Sequence, residues 1–194
     1  MDLCITCSFT SESHDFVLSA VYGLNEGEGR RRLWSHLLTL KGDNAKPWLL
    51  AGDFNVLAHP SESNRFDGSQ LPNRDIKEFT ECLQELAVFD HAYEGPMFTW
   101  TNCQEERFIA RKLDRVLVNC AWLQRFPHST VEFKSLGDSD HCLAYIRISQ
   151  DVISPPKPFK FFNCWSKHAE FLETVKNSWQ ASIEGTPMVI CIKN

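Results

Sequence analysis

Pro47 opens a short apolar run, Trp48-Leu49-Leu50-Ala51, which stops in Gly52-Asp53-Phe54-Asn55. A strand without a polar face is a strand covered on both sides. It belongs inside a layered domain, and its neighbours in sequence read as the layers. Residues 16–22 form a second strand, Phe-Val-Leu-Ser-Ala-Val-Tyr, ended by Gly23 and Asn25. Residues 28–41 read as a helix with Leu33, Leu37, Leu38 and Leu40 near one face. After a polar loop at 58–71 comes the clearest helix, 73–88. There Ile76, Phe79, Leu83 and Leu86 keep helical spacing and Asn73 takes the N-cap position. Short apolar runs follow at 97–101, 113–118, 130–136 and 142–148, with a short helix at 119–126. Strands and helices interleaved in this way specify an α/β layered domain.

The chain has 194 residues, 43% of them apolar and 23% charged, with 14 Phe and 6 Trp to fill a core. That composition fits a globular protein. Near Gln150 it changes. Pro155, Pro156 and Pro158 break regular structure, Phe159, Phe161, Phe162 and Trp165 cluster behind them, and a helix is expected at 166–182 with Phe171, Leu172, Val175 and Trp179 on one stripe. The expected division is a domain over 1–150 and a Pro/aromatic-rich connector with one helix over 151–194.

Net charge is −5, from 20 Lys+Arg against 25 Asp+Glu, which argues against coating nucleic acid by charge alone. No apolar run approaches the ~20 residues of a membrane helix, so no membrane partner is expected. Met1-Asp2-Leu3-Cys4 carries no basic n-region, and an intracellular protein, nuclear or cytoplasmic and not secreted, is the expectation. Of eight cysteines only Cys4 and Cys7 are close, and no second pair completes a zinc ribbon. They read as reduced, mostly buried small residues.

Three passages carry candidate chemistry. Asp53 and Asn55, two apart at a strand end, face one side; a carboxylate can orient or deprotonate water and an amide can donate to a developing anionic oxygen. Gly52 leaves room for close approach. Taken alone, such a tetrapeptide is more often a turn with an Asx motif. In Ser139-Asp140-His141, the histidine suits proton transfer near neutral pH and Asp140 offers oxygen to a hard cation. Neighbouring strand residues face opposite ways, so His141 needs a carboxylate from elsewhere to fix its tautomer. In Leu113-Asp114-Arg115-Val116-Leu117-Val118, a charged pair interrupts an apolar strand, and Asp114 needs a partner: Arg115 or Arg111 for a structural answer, His141 for a functional one. Arg107, Arg111, Lys112 and Arg115 form a basic stretch able to hold phosphates. The triplet Arg30 to Arg32 at a helix start opposes the helix dipole and reads as a solvated face, with a phosphate contact as the minor alternative.

In order, Tyr22 and Asn25, Gly52-Asp53-Phe54-Asn55, Phe98-Thr99-Trp100, Leu113-Asp114-Arg115 and Ser139-Asp140-His141 resemble the endonuclease/exonuclease/phosphatase superfamily of abasic-site endonucleases and pancreatic-type deoxyribonuclease. Val21-Tyr22-Gly23, Trp48 to Asn55, Phe98 to Asn102 and Leu113 to Asn119 are closer to the endonuclease domain of plant LINE-type non-LTR retrotransposons. The segment from Lys157 to Trp165 is similar to the connector toward their reverse transcriptase. The resemblance implies a four-layer α/β sandwich of DNase I type and hydrolysis of DNA phosphodiesters with Mg²⁺ or Mn²⁺. It implies that Asp53 activates water, Asn55 stabilises the transition state, His141 acts on the scissile phosphate with Asp114 orienting it, and Asp140 belongs to the metal site. Tyr22 then bonds the phosphate, Asn25 supports the site, and Trp100, Arg111 and Arg115 stand on the substrate side.

The family opens with a strand carrying Asn and a second ending in a metal-binding Glu. Neither motif occurs in the roughly fifteen residues before the Tyr22 strand, so a domain incomplete at its N-terminal end is expected, with one metal carboxylate absent. Leu143 stands where related elements have Pro. The alternatives to a DNA endonuclease are a non-catalytic relic, a nucleic-acid-binding module of the same fold, or hydrolysis of RNA or phosphoinositide esters.

Overall fold

The computed structural model describes residues 3–10, 15–42, 46–148, 168 and 170–180. Glu12, the prolines and aromatics of 155–165, Cys164 and Cys191 lie outside them. The chain divides into two compact units, Met1–Val152 and Ile153–Asn194.

The first unit runs β1 (Cys4–Thr10), β2 (Asp15–Tyr22), α1 (Gly27–Leu40), β3 (Trp48–Asp53), α2 (Arg74–Leu86), β4 (Val88–Asp90), β5 (Tyr93–Glu94), β6 (Trp100–Thr101), β7 (Ala110–Arg111), β8 (Asp114–Asn119), α3 (Cys120–Arg125), β9 (Thr130–Phe133) and β10 (Ala144–Arg147). Five strands make one sheet in the order β1-β2-β3-β8-β4, three make a second in the order β10-β9-β5, and β6 pairs with β7. The apolar run Trp48-Leu49-Leu50-Ala51 lies in the central strand, β3. Leu49 and Leu50 point to opposite faces and both are fully buried. Leu50 packs with Trp34, Leu37, Phe79 and Leu117 beneath α1 and α2. Leu49 packs with Val116, Val118, Trp122 and Phe133 between the two sheets. Full burial of each leucine side chain stabilises the fold by about 2 kcal/mol. Helices, large sheet and small sheet thus build the expected α/β sandwich. Tyr145, on β10, is exposed.

Local chemistry sets the helix ends. Asn73 caps α2, its side chain accepting from the Ile76 N–H at 2.9 Å. Asn119 caps α3 through Trp122 N–H and also ties the start of β3, accepting from Trp48 N–H and donating to the Lys46 carbonyl.

Four expectations change. β1 was not foreseen: Ile-Thr-Cys-Ser-Phe-Thr lies exposed on a sheet edge, so no buried alternation marks it, and its pairing with β2 is what makes it a strand. The run 97–101 shrinks to the two-residue β6. Of the six described cysteines only Cys82 and Cys142 are buried, while Cys7, Cys103 and Cys120 are exposed. Arg30 is not solvated but buried, paired with Asp75. In the second unit, α4 (Phe171–Gln180) falls within the expected 166–182, with Leu172 and Trp179 of its stripe exposed. No helix among the described residues is long and apolar enough to cross a membrane.

Candidate active site

Strand register assembles the site. β3 and β8 run antiparallel with Asp53 opposite Asp114, and the parallel β2 sets Tyr22 opposite Asp53. The strand ends approach so closely that only glycine fits: a Cβ on Gly52, where φ is +140°, would lie 2.0 Å from the Val21 carbonyl oxygen. A Cβ on Gly23 would lie 2.3 Å from that of Phe54. The Gly23 N–H instead donates to the Asp53 carbonyl at 2.6 Å.

His141 enters from the loop before β10. Thr101 N–H donates to the Asp140 carbonyl and Cys142 N–H to that of Thr99, which fixes His141 opposite Trp100. Its Nδ1 lies 2.9 Å from Asp114 Oδ2 and 3.2 Å from Oδ1. The partner that Asp114 needs is therefore His141, not Arg111 or Arg115. Thr99, fully buried, accepts from the N–H groups of both Leu113 and Asp114 and so holds the carboxylate's backbone as well as the histidine's. Among the described residues, Asp53, Asp114 and His141 are the one set able to hold a metal ion, with ligand atoms all within 4.8 Å of one another.

The charges are strongly coupled. Burial raises the Asp53 carboxyl above its ordinary range; the Asn55 N–H opposes this, Asp114 adds to it, His141 opposes it and Asp140 adds a little more. Burial disfavours the His141 cation, but the hydrogen bond and charge of Asp114, joined by Asp53 and Asp140, outweigh it and raise the imidazole above 6.5. The folded protein then binds the His141 proton more tightly than the unfolded chain. Its contribution to stability is complete below pH 6.5 and is lost as pH rises through the folded value. In metal-free buffer, the stability difference between wild type and His141→Gln, read from urea melts, is expected to shrink from about pH 6 to about pH 8. Parallel profiles would contradict the Asp114–His141 pair.

The other anticipated residues divide. Tyr22 is exposed beside Asp53. Asn55, at φ +52°, donates through its amide to Asp53 Oδ2 and the Gly23 carbonyl, and through its N–H to Asp53 Oδ1. Both amide hydrogens are thus turned inward; the amide holds Asp53. The exposed Asn25 contributes its carbonyl to Arg30. Trp100 donates its Nε1–H to Asp140 Oδ2, so the exposed Asp140 stands at the rim. Arg111 is exposed on β7. Arg115 cannot meet substrate: it is fully buried between Glu62 and Asp90. Lys112 is buried too, on Asp90. Glu62 went unnoticed in sequence, Thr99 was marked only by its position inside a motif, and Arg30 was read as solvated although it is buried.

Residues 7–141, more than half of the chain, match the model of the Endonuclease/Exonuclease/phosphatase family. No curated protein matches. Among solved structures, the endonuclease domain of TRAS1, a telomere-specific non-LTR retrotransposon, is similar at 15% identity and TM-score 0.53, covering 77% of this chain and 64% of that one. The D. rerio TDP2 complexed with single strand DNA product is 15% identical at TM-score 0.44, over 74% of this chain and 60% of that one. Beta toxin from Staphylococcus aureus is 13% identical at TM-score 0.49, over 75% and 57%. The chain spans less than two thirds of the length of each of these structures.

Proposed function

The chain belongs to the endonuclease/exonuclease/phosphatase family, and from that premise we propose that it is a phosphodiesterase that nicks DNA, dependent on a divalent cation, with Asp53, Asp114 and His141 as its reactive centre. One observation carries the reading: Asp114 grips His141 Nδ1 while Asp53 stands across the sheet with its ligand oxygen within reach of both. With Nδ1 engaged, Nε2 is the nitrogen left for a phosphate oxygen or a leaving group. Asp53, its carboxylate aimed by Asn55, orients water for attack and accepts its proton. Tyr22 and Arg111 are the exposed groups suited to contact backbone phosphates.

The donor set fits a hard cation. Three carboxylates, Asp53, Asp114 and Asp140, surround one imidazole; burial, with the charges of Asp114 and Asp140 beside it, raises the Asp53 carboxyl, and a divalent ion would relieve that excess negative charge. Asp53 and Asp114, with Asp140 beside them, are the residues that would hold Mg²⁺ or Mn²⁺. When bound, such an ion stabilises charge on the phosphoryl oxygens. The fold shared with the TRAS1 endonuclease domain supports a nucleic-acid substrate and an origin in a LINE-type element. An intracellular site of action, nuclear or cytoplasmic, follows from that origin.

A second reading, binding of nucleic acid without hydrolysis, is favoured by the inward-turned Asn55 amide, whose hydrogens are both spent on Asp53 and the Gly23 carbonyl. Metal titration separates the two. Mg²⁺ or Mn²⁺ at about 100 times its dissociation constant is expected to stabilise the protein by about 2.7 kcal/mol, with conversion of supercoiled plasmid to open circles in the same buffer. Asp53→Asn should abolish both. A folded protein whose melting ignores both ions, and which binds plasmid without nicking it, leaves only the second reading.

A further inference from the structure

Arg30 sits in the first turn of α1, 5% exposed. A cation there opposes the helix dipole, so the helix itself gains nothing from it. Its guanidinium is spent elsewhere. Nη2 donates to Asp75 Oδ2 at 2.5 Å, and Asp75 lies in the first turn of α2. Nη1 faces three carbonyls: Leu24 at 3.0 Å, Asn25 at 2.7 Å and Asn55 at 3.2 Å. One planar group thereby joins both helices, the β2–α1 loop and the turn after β3.

The last of those contacts matters most. Asn55 is held at φ +52°, a left-handed conformation that is uncommon for residues with a Cβ and that asparagine tolerates best. Both oxygens of the Asp53 carboxylate accept from Asn55. Whatever fixes the Asn55 backbone therefore fixes where Asp53 points. We propose that Arg30, anchored on Asp75, is a positioning residue that clamps the Asn55 backbone and through it sets the Asp53 carboxylate. This rests on the reading of Asp53 as part of the reactive centre. Lysine cannot replace the arginine: an ammonium keeps the charge and reaches Asp75, but it lacks the fork that spans two helices and two loops.

The test uses the whole chain with Arg30→Lys, and Arg30→Met as the harsher variant. Hydrogen exchange by NMR at the Asn55 amide is compared with that of Val118 in the core of β8, and plasmid nicking is measured per folded molecule. For Arg30→Lys, Asn55 exchange is expected to quicken roughly tenfold or more while Val118 is unchanged. kcat should fall between about 10-fold and about 100-fold with KM nearly constant. If Arg30→Met does not fold, Arg30→Lys decides alone. Unchanged Asn55 exchange overturns the clamp. So does exchange that quickens equally at Val118, which marks a merely structural residue, or quickened Asn55 exchange with kcat untouched. A wild-type protein that does not nick defeats the proposed activity, and the exchange comparison then decides the clamp by itself.

Discussion

Replacing Arg115 by methionine is expected to destabilise the domain by about 3–5 kcal/mol, a large share of the roughly 5–15 kcal/mol that keeps a domain folded. Arg115 is fully buried. One Nη donates to Asp90 at 2.6 Å and the other to Glu62, while the guanidinium lies 5.5 Å over the Phe79 ring. Lys112, also buried, shares Asp90 at 3.0 Å. Methionine fills much of the volume but leaves Glu62, with only 12% of its side chain exposed, facing no cation. Asp90 keeps Lys112. The penalty therefore falls mainly on Glu62, which also receives the N–H groups of Ala58 and His59 and so organises the loop that follows β3. Urea unfolding checks the loss, and Glu62→Gln added to Arg115→Met should recover part of it because the uncompensated charge is gone. A loss below about 1 kcal/mol would place Arg115 among exposed ion pairs, contrary to its burial.

The second large effect is on catalysis. His141→Ala is expected to lower plasmid nicking by about 10²–10⁴-fold, the usual contribution of a positioned acid or base. Asp114→Asn should approach the same loss with the fold intact, since an amide cannot hold the imidazolium or enforce the proton on Nδ1. Single-turnover nicking with excess protein reads both. If Asp114→Asn nicks like wild type while His141→Ala does not, the carboxylate is structural and the histidine acts alone.

Much of this was legible because strand and helix periods leave clear marks. The 73–88 pattern became α2 with Asn73 capping it, and the apolar run at 48–51 became the central strand. The site was legible only in halves. Asp53 and His141 stood out by chemistry, yet the register that sets Asp53 opposite Asp114 is a property of β3 meeting β8 across some sixty residues of chain. The fate of Arg115 was present in alternation. Asp114, Val116 and Val118 share one face of β8, and Arg115 and Leu117 share the other, toward α2. An Asp114 placed in the site therefore sends Arg115 into the core, and the counterions it finds there, Glu62 and Asp90, come from segments with no visible pattern. Arg30 was misread for the same reason. Its partners are three backbone carbonyls and a distant carboxylate, and carbonyls carry no sequence signature. Thr99 hides likewise, since its work is to accept two backbone N–H groups.

The most direct measurement is the ratio of nicking rates, on supercoiled plasmid with Mg²⁺, between wild type and His141→Ala brought to equal folded concentration. A ratio of at least about 100, with wild-type nicking abolished by chelation, is expected if Asp53, Asp114 and His141 form the reactive centre. Equal rates, or a folded wild-type protein that leaves the plasmid supercoiled, would contradict it.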